Sequence, residues 1–162
     1  MFREMRRSKQ LLSPQDTAEV MARCTNGILA CLGDEDYPYA VPLNFVYFDG
    51  KIYFHSAKEG HKIDAIAKHD KVSFAVVDED TIVAEEYTSY FRSVVAFGKA
   101  RIAEGDERLA AFKALAEKYS GSLPKEVVHK KVEGCGQAAI IAIDVEQITG
   151  KEAIEYVRAK QK

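Results

Sequence analysis

Between Gly27 and His55 the chain runs through three apolar, β-branched and aromatic stretches separated only by short turns: 27–32, 39–48 and the run that ends at His55-Ser56. The last two flank Asp49-Gly50, a dipeptide that takes the positive φ angles of a tight two-residue hairpin turn. Strands that follow one another so closely pair antiparallel, because a parallel neighbour needs a crossover of a dozen or more residues. Parallel βαβ alternation is therefore set aside. The expectation is a mainly β domain, an antiparallel barrel with helices placed singly around it.

Ser13-Pro14-Gln15-Asp16 supplies an N-cap, a proline at the first helical position and an acidic first turn, and predicts a helix over 14–23. Ile63, Ile66 and Ala67 share one helical face and predict a second helix over 61–68. A third starts at Asp106, where Leu109, Phe112, Leu115 and Tyr119 repeat at helical spacing, and Gly121 and Pro124 bound it. A shorter one is predicted over 125–132. Further strands are predicted at 71–77, 90–103 and 138–145, the last apolar on both faces as in a barrel or sandwich interior. The acidic stretch 78–86 reads as a loop, with Ile82 and Val83 tucked inward, and the tail from Gly150 as polar surface. Pro42 stands inside the long strand 39–48. A residue that donates no ladder hydrogen bond belongs at an edge, a bulge, or where its neighbour is not a strand. A bare edge and a flat ligand lying against it are both open readings.

With 162 residues, 47% hydrophobic and 30% charged, the chain fits a single domain spanning 1–162 with its core at about 5–151, and no linker divides it. A formal net charge of −2 argues against a general grip on nucleic acid. The basic segment Met1–Gln10 is followed by no apolar stretch of signal-peptide or transmembrane length, so a cytoplasmic protein without a membrane partner is expected. Cys24, Cys31 and Cys135 are odd in number and lack a C-x-x-C pair, which favours packed, reduced thiols. His55, His61, His69 and His129 match no ligand spacing, and no metal is expected. Hydrolase, P-loop and G-x-G-x-x-G motifs are missing from the sequence.

The candidate site follows the hairpin. Its second strand ends in His55-Ser56, and a loop through Gly60 delivers His61 and Lys62 to a helix N-terminus. Free N–H groups, the positive end of the helix dipole and a lysine together favour an anion there, a phosphate above all. Arg92-Ser93, on another strand, would add donors if the fold brings the segments together. Each residue has a plain rival reading: Lys62 as a solvated charge, His55 as a strand-end histidine bonded to backbone. Charge-assisted contacts contribute about 1.5–3 kcal/mol each, whereas micromolar binding needs about 8 kcal/mol. An apolar ring surface must therefore join the phosphate.

The runs Tyr37-Pro38-Tyr39-Ala40-Val41-Pro42-Leu43-Asn44-Phe45, then 52–62, then 91–100, with Ile148-Thr149-Gly150-Lys151 near the end, resemble the FMN-binding split β-barrel family. Within it the chain is most similar to the nitroimidazole-resistance branch related to pyridoxamine 5'-phosphate oxidase. The resemblance implies a six-stranded antiparallel split β-barrel, a homodimer, and one FMN in each of two clefts shared between subunits. It implies that the backbone of Val41, Pro42, Leu43 and Asn44 faces the isoalloxazine ring, that His55 and Ser56 line the cofactor, and that His61 and Lys62 take the phosphate. Arg92 and Ser93 would approach from the neighbouring strand, of the same chain or of the partner. His55 would be the catalytic group, giving a proton while the flavin gives electrons to a small flat acceptor such as a nitroimidazole.

Relatives that oxidise pyridoxamine phosphate complete their site with a C-terminal tryptophan and arginine element. This chain has no Trp, so vitamin B6 oxidation is not expected. The alternative function is a carrier that holds FMN or haem without turnover, and a cofactor-free structural dimer is a third. Tyr87, Tyr90 and Phe91 fit a dimer interface and an internal core equally well.

Overall fold

Asp49 and Gly50 have φ of 50° and 69°, the left-handed pair that the hairpin turn requires. They join β3 (Val46–Phe48) to β4 (Lys51–Ser56), with Phe48 opposite Lys51. The computed structural model describes residues 1–134 and 138–160, so Cys135 lies outside the described residues. The other strands are β1 (Asn26–Leu32), β2 (Pro38–Asn44), β5 (Lys71–Val83), β6 (Thr88–Ile102) and β7 (Ala139–Glu152). The helices are α1 (Pro14–Arg23), α2 (His61–Lys68), α3 (Gly105–Ser120), α4 (Lys125–Gly134) and α5 (Ile154–Ala159).

All seven strands form one antiparallel sheet in the order β2-β1-β5-β6-β7-β4-β3. Its two edge strands are consecutive in the chain, with only Phe45 between them. Neighbouring Cα atoms are about 3.8 Å apart, so the sheet must curl until its edges meet at that residue. No ladder joins β2 to β3, and the sheet stays open there. The single strand expected over 39–48 is thus two strands, β2 on β1 and β3 on β4, which accounts for seven strands where six were expected.

Phe45 is fully buried and packs edge-on against Phe74, with ring centroids 4.9 Å apart. Leaving the ladder would orphan its backbone groups, and α3 supplies the replacement. The Tyr119 hydroxyl accepts from Phe45 N–H at 3.0 Å and lies 2.7 Å from the carbonyl oxygens of both Phe45 and Thr25. Beside it, Lys118 Nζ donates to the Cys24 carbonyl at 2.6 Å and stands 4.3 Å from the Phe45 ring centre.

Two apolar clusters sit on opposite faces of the curled sheet. The inner one joins Leu29, Phe54, Phe74, Val76, Val94, Ile141 and Ile143 to Val20 and Met21 of α1 and Ala65 and Ile66 of α2. The outer one lies under α3, where Ala111, Phe112 and Leu115 cover Val46, Tyr53, Ile140 and Ala142. Alternate residues of 139–143 therefore face two different cores, which is why this run is apolar on both sides.

Two expectations are corrected. The acidic stretch 78–86 is mostly strand: after a bulge at Asp78, Glu79–Val83 pairs with Thr88–Arg92 as a ribbon. Polar composition hid it because side chains on both faces of this ribbon stay partly or fully exposed. The tail from Gly150 is not loose surface. Gly150 through Glu152 pair with Val94 through Arg92, Leu12 N–H bonds to the Gly150 carbonyl, and Gly150 and Glu152 are buried.

Tyr119→Phe keeps the ring and removes the hydroxyl that serves Phe45. We expect a loss of about 1–3 kcal/mol, the cost of an unsatisfied buried group, seen as a lower urea midpoint with an unchanged slope.

Candidate functional site

α2 begins where the sequence places it, and its start is built to stay open. Gly60 precedes it with φ 124°, a conformation L side chains rarely adopt, and no side chain caps the helix. Its carbonyl accepts from Ile63 and Asp64 N–H. The N–H groups of His61 and Lys62 have no acceptor among the described residues and lie at the positive end of the helix. Lys62 is half-buried and makes no ion pair among the described residues.

His61 ties this helix start to β2. Its ring stacks on Tyr39 with centroids 4.1 Å apart and planes 25° apart. Asp34 N–H points to His61 Nε2 at 3.4 Å, and Asp34 Oδ2 lies 3.7 Å from the same nitrogen. A Cβ on Gly33 would come within 2.9 Å of His61 Nε2, so a larger residue there would push the imidazole off this position. Tyr39 and Asp34 are the positioning residues that sequence reasoning did not single out. Helical and strand periodicity carry no sign of a ring stack between elements.

β2 is an edge strand with its outer backbone row unpaired in the sheet, and Pro42 sits within it. Proline is tolerated at such an edge. Tyr39, Val41 and Leu43 turn inward onto the core, while Ala40, Pro42 and Asn44 face out. Asn44 Nδ2 donates to the Thr25 carbonyl at 2.7 Å, which holds the strand end in place. At the end of β4, His55 is exposed whereas Ser56 is buried. Ser56 Oγ is buried without a hydrogen-bond partner among the described residues, and such a hydroxyl is costly unless something binds it.

Arg92 and Ser93 do not act as a pair. Successive strand residues point to opposite faces. Arg92 follows the inward parity of Val94 and Ala96, and Ser93 the outward parity of Val95 and Phe97. The Arg92 guanidinium lies 3.2 Å from Asp78, 3.5 Å from Glu79 and 3.6 Å from Glu152, and 4.9 Å above the Tyr156 ring. Tyr156 also bonds to Glu79, and Lys160 Nζ reaches Glu152 at 2.8 Å. Arg23 pairs with Asp78 at 2.6 Å. Arg92 is thus committed to its own carboxylates. Tyr39 pairs with Cys31, Ala30 with Ser73 and Ser73 with Phe97, which puts the His61 end of the sheet level with Gly98. Arg92 lies about 20 Å further along β6 at about 3.3 Å per residue. Within one chain, Lys62 and Arg92 do not converge.

The two described thiols are packed rather than activated. Burial, then a hydrogen bond to Asp78, pushes the Cys24 thiol up to about 11, and burial raises Cys31 as well. Both stay protonated near neutrality. Among the described residues no three His, Cys, Asp or Glu side chains gather to hold a metal. No helix among them is long and apolar enough to cross a membrane.

The outward face of β1, β5 and β6 is apolar and largely uncovered, with only Phe2 among the described residues stacked on it, 5.6 Å from Phe97 between ring centres. Ile28, Val77, Val95 and Phe97 are 41%, 62%, 37% and 40% exposed, far above the level of the core. A groove of about 560 Å³ crosses its end, lined by Phe2, Ala30, Pro38, Ser73 and Phe97 among others. A curled antiparallel sheet with an uncapped helix start beside an open strand edge is the setting of the candidate site. The model of the pyridoxamine 5'-phosphate oxidase family matches residues 13–152, and the chain belongs to that family.

Solved structures share the fold. A candidate 5-nitroimidazole antibiotic resistance protein from Bacteroides thetaiotaomicron is 21% identical with a TM-score of 0.71, covering 88% of this chain and 86% of its own. A conserved hypothetical protein from Mycobacterium tuberculosis is 21% identical with a TM-score of 0.78, covering 92% and 90%. The FAD and haem binding protein from Mycobacterium smegmatis is 16% identical with a TM-score of 0.69, covering 93% and 80%. No curated protein matches the chain significantly.

The Arg23 guanidinium, with Arg92 beside it, holds the Asp78 carboxyl below its ordinary value of 3.8 against the opposing effect of burial. A lowered folded value means the contribution is complete above the ordinary carboxylate range and is lost as pH falls through the folded one. Asp78→Asn should therefore be less stable than the parent at pH 6, and the gap should close as denaturation is repeated towards pH 2.

Proposed function

We propose that this chain is an FMN-binding oxidoreductase acting as a homodimer on a small flat acceptor, with nitroaromatic compounds as candidates. One observation carries the reading: the Tyr39–His61 stack sets an uncapped helix start with a free lysine against an unpaired strand edge. A phosphate suits the helix start. A flat heterocycle with alternating donors and acceptors suits the edge, whose N–H and C=O groups otherwise face solvent.

The donor set fits FMN. The N–H groups of His61 and Lys62 with the Lys62 ammonium would hold the phosphate, and the unpartnered Ser56 hydroxyl would donate to the cofactor beside them. Along Val41, Pro42, Leu43 and Asn44, the outward backbone groups of Pro42 and Asn44 would read the ring's polar edge, while Val41 and Leu43 hold the strand to β1. FMN, when bound, supplies electron uptake and transfer to an acceptor over its exposed face. His55, exposed at the end of the same strand, would hand a proton to the reduced acceptor. Ser93 would reach the cofactor from the partner chain, while Arg92 holds the end of the sheet together. The fold shared with an FAD and haem binding protein keeps a carrier role as the second reading. The two readings part on turnover alone.

The uncovered face provides the partner surface. Burying Ile28, Val77, Val95 and Phe97 against a second copy would remove an exposed apolar patch from water. A twofold contact buries the same patch twice.

The freshly purified protein should be yellow and release FMN on denaturation, and Lys62→Ala should weaken FMN binding by about tenfold or more, the loss of one charge-assisted contact. A colourless protein that ignores added FMN would overturn the reading. Turnover of nitro compounds or quinones by the loaded protein, with an external electron donor supplied to reduce the flavin, supports the enzyme over the carrier. Val95→Glu should sediment as a monomer and lose flavin with the shared cleft; a variant that remains dimeric removes this face from the interface.

A further inference from the structure

We propose that Lys151, on β7, reaches across the dimer to the flavin held by the partner chain, with Ser93 and Gln147 lining the same wall. This rests on the flavin and dimer reading above, and it assigns a cation that the reading lacks once Arg92 is withdrawn. Lys151 is the register partner of Ser93, so the two side chains share the outward face. Val95 opposite Thr149 and Phe97 opposite Gln147 continue the same rows. The apolar patch is thus bordered by a polar strip, Gln147, Thr149 and Lys151, along a single strand. An aromatic ring with polar atoms along one edge needs this pattern of surface.

Lys151 is poised rather than neutralised. Its Nζ stands 5.2 Å from the centre of the Phe91 ring and pairs with no carboxylate among the described residues. Arg23, Arg92, Arg101 and Lys160 are all paired. Its backbone is held on both sides, by Ser93 of β6 and by a bridge to Leu11, and Leu12 bonds to Gly150. Gln147 Oε1 adds a second signal, a buried acceptor without a hydrogen-bond partner among the described residues.

Lys151 lies level with Ser93, and the helix start that carries Lys62 lies level with Gly98. The separation along the sheet is about 17 Å at about 3.3 Å per residue, too far for both lysines to grip one phosphate within a chain. A twofold axis through the outward face reverses the direction of β6. It carries the Lys151 end of one copy over the α2 end of the other.

The test compares FMN titrations of the wild-type protein, Lys62→Ala, Lys151→Ala and Lys151→Arg, followed by a co-expressed, doubly tagged heterodimer of the two alanine variants. Lys151→Ala should bind FMN at least tenfold more weakly while remaining dimeric, and Lys151→Arg should recover most of the loss. In the heterodimer one site carries both substitutions and the other carries none, so half of the sites should bind with wild-type affinity. A heterodimer without a tight site overturns the assignment across the interface. Tight FMN binding by Lys151→Ala, with Lys62→Ala impaired, overturns the role of Lys151 and leaves the flavin reading standing. A wild-type protein that binds no FMN removes the reading itself.

Discussion

Phe45 is the residue on which the architecture turns. A continuous strand cannot pair with both edges of the same sheet without a break, and the chain breaks here at a buried aromatic whose backbone is taken over by Tyr119. The ring fills the inner core against Phe74 while the main chain crosses from β1's partner to β4's partner. Gly27 makes room for this packing, since a Cβ there would lie 2.3 Å from the Phe74 ring. The consequence reaches the site. Ending β2 at Asn44 leaves its outer edge without a strand, and that edge is what a ligand can use.

Strand parity then sorts charge from chemistry. On β6, inward-facing Arg92 meets Asp78, Glu79 and Glu152 at the sheet end, and α5 closes over it through Tyr156 and Lys160. Each carboxylate would be costly to bury alone, and Glu152 is only 3% exposed, so the cluster holds together by mutual neutralisation. Ser93, one residue on, faces the uncovered side. A slip of one register would exchange these roles, exposing the cluster and burying the serine. The bulges after Val77 and Phe97 fix the register, and Gly98 fits against the Asp144 carbonyl where a Cβ would approach to 2.3 Å.

Local signals were legible in the sequence and pairings were not. Ser13-Pro14 fixed the start of α1, with the Ser13 side chain accepting from Asp16 N–H at 3.0 Å, and Gly60 fixed that of α2, because caps and turns act within a few residues. Asp49-Gly50 fixed the hairpin for the same reason. The acidic ribbon 79–83 was hidden because its pairing partner, not its composition, makes it a strand. The buried tail was hidden because Glu152 is acceptable in a core only when Arg92 and Lys160 arrive from elsewhere in the chain. Arg92 and Ser93 are adjacent in sequence, and in a strand adjacency sends the two side chains to opposite faces.

The open edge of β2 raises a final point of physics. An unpaired strand invites another strand, and proteins blunt such edges with proline, charge or a cover. Pro42 blunts this one by removing a donor from the middle of the row, and Pro38 does the same at its start. Neither residue fills the edge; they discourage an extended chain, which needs its donors at regular spacing, more than a short rigid heterocycle, which needs only a few. The same two prolines thus disfavour pairing with another strand while leaving the carbonyl groups of the row open. The helix start stacked beside it through Tyr39 and His61 adds the anion preference that an edge alone does not have.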